Sequence, residues 1–115
     1  MSIRTMLQRR LVVALKERDV AAVAGCRTAL AAIANAEAVP LSSAPAAGAI
    51  EQSATGVGAT DVPRRVLSEH AMRERVGAEV SELRHALTLL PDGQDGRRAR
   101  LRLEIEVLES VLGGA

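Results

Sequence analysis

The chain has 115 residues, and its 15 basic and 14 acidic side chains leave a net charge of +1, so no global field draws in nucleic acid or an anionic membrane. It contains no Phe, Tyr or Trp, which excludes an aromatic platform for stacking bases and makes any core aliphatic. At 48% hydrophobic and 25% charged, the composition is that of one globular domain.

The first helix is predicted over about residues 2–18, with Ser2 as its cap. Ile3, Leu7, Leu11, Ala14 and Leu15 recur on one face, while Arg4, Arg9 and Lys16 fall elsewhere. Asp19 follows at once as an N-cap, so a tight αα-hairpin leads into a second helix over about residues 20–38. Val23, Leu30 and Ile33, with Cys26 and Ala34 between them, form its apolar stripe, and its many alanines keep it thin enough for close packing. Pro40 stops it.

Residues 39–61 hold two prolines, three glycines and no sustained period, and read as a flexible linker. Gly56 and Gly58 lack the preceding strand of a nucleotide-binding loop. Ser68 caps a third helix over about residues 69–90, with Leu67 and Met72 as the two halves of a hydrophobic staple. Met72, Val76, Val80, Leu83, Leu87 and Leu90 make that helix strongly amphipathic. Pro91-Asp92-Gly93 breaks it. A fourth helix spans about residues 94–112, striped by Leu101, Ile105, Leu108 and Leu112 and widened by Leu103, Val107 and Val111. Gly113-Gly114 supplies the expected glycine stop, and Arg100–Glu104 and Arg102–Glu106 are expected to pair across its outer surface. The fold class is all-α: a small four-helix bundle of two αα-hairpins joined by a long flexible linker.

Little here suggests chemistry. Ser42-Ser43 lie in the linker, where nothing holds a nucleophile in geometry. Cys26 sits on an apolar stripe and reads as a core residue rather than a reactive thiol. His70 and His85 have no metal-ligand spacing and read as surface residues, so no metal or cofactor is expected. The single cysteine suits a reducing compartment, and neither a signal peptide nor a run of ~20 apolar residues is present, so a cytoplasmic protein without membrane contact is expected. The paired arginines Arg9-Arg10, Arg64-Arg65 and Arg97-Arg98 serve either intramolecular salt bridges or phosphate contacts.

The second helix carries the most pointed pattern. With Leu30 at the centre of its wheel, Glu37 lies within ~20° of the centre, Arg27 about 60° to one side and Asn35 ~140° away. Arg27 is therefore expected at the shoulder of the core, paired with Glu69, Glu74 or Glu104, or reserved for a phosphate or a partner protein.

Ala14, Lys16 and Asp19, followed by Arg27, Leu30, Ile33, Asn35, Ala36 and Glu37, resemble the opening of the GatB/YqeY family, related to the helical tail of the B subunit of glutamyl/aspartyl-tRNA amidotransferase. Pro63-Arg64-Arg65 before Leu67-Ser68-Glu69, and the run from Arg100 to Leu112, resemble short actinobacterial members that lack the family's second domain. Where family members carry basic residues, this chain has Ala21, Ala22 and Ala34. The resemblance implies a four-helix domain, association with tRNA-dependent amidation, and the label of a carbon–nitrogen ligase with glutamine as amide donor. It makes Lys16, Arg27, Asn35 and Glu37, with Arg9, Arg10, Arg64 and Arg65, the candidate contacts for tRNA or amidotransferase subunits. The competing reading is a protein-interaction or homodimerisation module without catalytic activity.

Overall fold

A computed structural model describes residues 1–38 and 66–114, which form four α-helices: α1 (Ile3–Glu17), α2 (Val20–Glu37), α3 (Glu69–Leu89) and α4 (Asp95–Gly113). The predicted linker, Ser42-Ser43 and Arg64-Arg65 lie outside the described residues. Three of the starts are set by the side chains expected to cap them: Ser2 accepts from the Thr5 amide, Asp19 from that of Ala22, and Ser68 from that of Ala71. Each acceptor satisfies an amide that the helix cannot pair internally. α4 starts without a side-chain cap at Gln94, but Asp95 places a carboxylate in its first turn, where the helix dipole favours it.

The α1–α2 turn is as tight as Asp19 implied. Arg18 adopts a left-handed conformation (φ 57°), which lets its amide and that of Asp19 close back onto Leu15 and Ala14. The α3–α4 turn uses Gly93 at φ 91°, a conformation glycine adopts without steric penalty. Arg98 reaches back over that turn to the carbonyls of Leu90 and Pro91 and pairs with Asp95 at 3.1 Å. The expected left-handed glycine after α4 does not occur: the helix runs through Gly113, and Gly114 has φ −84°.

All four helices pack against one another as a single bundle. Ile3, Leu7, Cys26, Ala29, Ile33, Val76 and Leu108 are fully buried at its centre. Leu67 packs against the cluster that contains Met72, as the predicted staple requires. The register of α2 differs from the expected one. Its buried positions are Ala21, Ala22, Gly25, Cys26, Ala29, Ile33 and Glu37, whereas Val23 and Leu30 are only half-buried. Small residues face inward because α4 crosses close by: an added methyl at Gly25 would stand 3.5 Å from the Glu104 carbonyl. The buried centre is thereby rotated about 70° from Leu30, and Arg27 is left about 130° from it. Arg27 is exposed and is not at the shoulder of the core.

Two other aliphatics expected to face inward, Leu15 and Leu103, are 48% and 51% exposed, because the neighbouring helices cover only a narrow arc of α1 and α4. Arg100 does pair with Glu104, at 3.6 Å, but not on an outer surface, since Glu104 is buried against α2. Among the described residues no ion pair joins Arg102 to Glu106; both side chains point into solvent. No described helix is long and apolar enough to cross a membrane.

Candidate functional site

The up-and-down helix order gives the bundle two ends of different character. At one end meet the N-termini of α1 and α3 and the C-termini of α2 and α4. Glu37, last residue of α2, is buried there and forms an ion pair with Arg4 of α1. Its carboxylate also accepts from the Leu67 amide at 3.4 Å, where the chain returns to the bundle. Glu69 accepts from the Ile3 amide at 2.9 Å and from Arg73, and Arg73 donates in turn to the Leu112 carbonyl at 3.0 Å. Arg4 adds a 3.7 Å contact to the Met72 sulfur. This polar network satisfies the exposed backbone groups of three helix ends and binds all four helices together. It is a clasp, and its members are occupied by one another.

The opposite end carries the open surface. The last turn of α1, the first two turns of α2 and the start of α4 enclose a groove of about 390 Å³ lined by Leu15, Arg18, Val20, Val23, Ala24, Arg27 and Arg100. A second hollow of about 340 Å³ adjoins it through Ala24 and Arg100 and adds Arg97, Leu101 and Glu104. Among the described residues Arg18, Arg27 and Arg97 make no ion pair or side-chain hydrogen bond, so their charge faces solvent. Burial pushes the Glu104 carboxyl above its ordinary range, and the Arg100 guanidinium partly offsets that effect.

The residues singled out from sequence therefore separate. Arg27 belongs to the groove. Glu37 is buried in line with the core, as its wheel position implied, but Arg4 is its partner. Asn35 is exposed on the far side of α2. Arg9 and Lys16 are exposed on the outer side of α1, while Arg10 is half-buried. Arg9 and Arg10 share a shallow cleft with Met1, Met6, Val13, Ser110, Val111 and Gly114. Neither Glu69, Glu74 nor Glu104 is paired with Arg27: Glu69 holds Arg73, Glu74 holds His70 at 2.8 Å, and Glu104 holds Arg100.

Cys26 is fully buried, and that burial raises its thiol pKa, an effect only partly countered by Arg10. A thiol kept protonated in this way is a packing group rather than a nucleophile. Among the described residues no cluster of His, Cys, Asp and Glu is arranged to hold a metal ion. Sequence reasoning missed Arg4 and Arg18 and saw Arg100 only as the i, i+4 partner of Glu104, not as part of the groove. Arg18 had a local signal, since a residue wedged between a helix end and an N-cap must turn sharply; the role of Arg4, and the place of Arg100 in the groove, depend on helices distant in sequence.

The fold is a small all-α bundle with an open, arginine-rimmed groove at one end. No family model, curated protein or solved structure matches the chain.

Proposed function

We propose that this chain is a non-catalytic accessory module of the YqeY kind, associated with tRNA-dependent amidation and binding RNA weakly through its first hairpin. The observation that carries the reading is the division of charge between the two halves. Residues 1–38 hold six basic and three acidic side chains, whereas residues 66–114 hold seven basic and nine acidic ones. Arg4 and Glu37 offset each other and Asp19 caps α2, so the excess of three basic charges in residues 1–38 persists. Arg9 and Lys16 then stand seven residues apart on the outer side of α1, about 10 Å along its axis. Two cations at that spacing suit a phosphate backbone, and without aromatic side chains such contacts carry no base readout.

The test is a titration of tRNA at about 50 and 200 mM salt. With three or four phosphates neutralised, affinity falls roughly 20- to 150-fold between the two, because each contact releases counterions. Arg9→Glu with Lys16→Glu abolishes the binding. Absence of binding at low salt, or binding indifferent to salt, refutes the reading. Ammonia released from glutamine by the purified protein would refute its non-catalytic part. A second reading, a protein-interaction module, is favoured by the apolar floor of the groove, which RNA backbone does not require.

A further inference from the structure

We infer that the groove at the α1–α2 turn is a docking site for an acidic amphipathic helix of a partner protein. The inference deepens the protein-interaction reading, and its test turns on Val20 and Arg27 rather than on Arg9 and Lys16, which carry the RNA test. Its first support is charge complementarity. Arg18, Arg27 and Arg100 stand around a floor of Leu15, Val20, Val23 and Ala24, with no carboxylate among the described lining residues. Arg18 and Arg27 are without an ion pair among the described residues, and the one formed by Arg100 is long, at 3.6 Å. Acidic side chains flanking an apolar stripe complement both parts of this surface.

The second support is the floor itself. Leu15 and Val20 are 48% and 60% exposed where the two helices meet, leaving large aliphatic surface open to water. A phosphate backbone gains little from covering it, whereas Leu or Val side chains gain the full burial. Recognition modes narrow the partner's shape. The groove is walled by helices and offers no strand edge, so an extended peptide has nothing to pair with. The chain has no aromatic residue to grip a polyproline segment. A helix laid in the groove remains, and the wall from Val20 to Arg27 is about 10 Å long, enough for anchors at i and i+4.

A second copy of this chain fits less well. The acidic residues of α3 are interleaved with Arg73, Arg75 and Arg84, and its aliphatics Met72, Val76 and Val80 are buried in its own core, which leaves Leu89, at its last position, as its one exposed large aliphatic among the described residues.

The experiment uses a labelled synthetic helix with Leu at i, i+4 and i+7 and flanking Glu residues, with a charge-matched control in which each Leu is Ser. Fluorescence anisotropy with the full chain at about 150 mM salt is expected to show the Leu peptide bound at least about tenfold more tightly than the Ser peptide. Val20→Glu and Arg27→Glu each weaken that binding about tenfold or more, while Arg75→Glu, the same charge change on α3, leaves it unaltered. Val20 and Arg27 are exposed, so circular dichroism should confirm that both variants fold. Absence of binding, equal affinity for the two peptides, or equal loss in Arg75→Glu overturns the inference. So does light scattering that shows a dimer abolished by Val20→Glu, which would make a second copy the occupant. Loss of tRNA binding in Arg9→Glu/Lys16→Glu with peptide binding intact would separate this site from the RNA surface.

Discussion

Replacing Arg4 with Met tests whether the clasp holds the bundle together. The substitution keeps the length and apolar stem of the side chain and removes only the guanidinium. It takes the Arg4 cation away from the Glu37 carboxylate, which is 9% exposed. Breaking a fully buried pair in this way costs ~3–5 kcal/mol. Here the Arg4 side chain is 34% exposed, so water reaches the site and screens part of the interaction. A loss of about 2 kcal/mol is expected. Equilibrium urea unfolding measures it: with a slope near ~2 kcal/mol per molar, the midpoint falls by roughly 1 M. Arg4→Met combined with Glu37→Met restores part of the loss, because the carboxylate and its guanidinium leave together; the remaining cost is the other bonds Glu37 accepts, the 3.4 Å one from the Leu67 amide among them. A single variant within about 0.5 kcal/mol of the parent, or a double variant as unstable as the two singles summed, would refute the argument.

Three further outcomes follow from the same packing. Gly25→Ala is expected to raise stability by up to about 1 kcal/mol in thermal or urea unfolding, since the new methyl meets the Glu104 backbone at ordinary contact distance while alanine favours the helix; a marked loss would show the α2–α4 crossing to be tighter than 3.5 Å implies. Arg18→Gly relieves a left-handed residue at the end of α1 and should stabilise the fold by a few tenths to about 1 kcal/mol, while weakening peptide binding at the groove. Glu104 has a folded pKa raised by burial, so the native state holds its proton more tightly than the unfolded chain, and its burial costs stability above that raised pKa. The stability of the parent relative to Glu104→Gln should therefore improve as pH falls from 7 toward 4.5, and a difference constant across that range in urea titrations would contradict it.

The sequence by itself determined the four helices and most of their ends, the C-terminus of α4 excepted. Ser2, Asp19 and Ser68 cap, and Pro91-Asp92-Gly93 breaks, through hydrogen bonds and dihedral limits that span a few residues and need no tertiary context. It also placed Glu37 toward the core and Asn35 away from it, since both follow from helical period alone. Only the tertiary structure decided which arc of each helix is buried. An α2 rich in alanine offers several nearly equivalent faces, and the close crossing of α4 selected the smallest, through Ala22, Gly25 and Ala29, leaving Val23 half-buried and turning Arg27 outward. That rotation moved Arg27 from an expected buried ion pair to an open groove and gave Glu37 its partner in Arg4, 33 residues away. Pairings of that range depend on helix rotation and on which neighbour presents the opposite charge, and neither is encoded in local spacing.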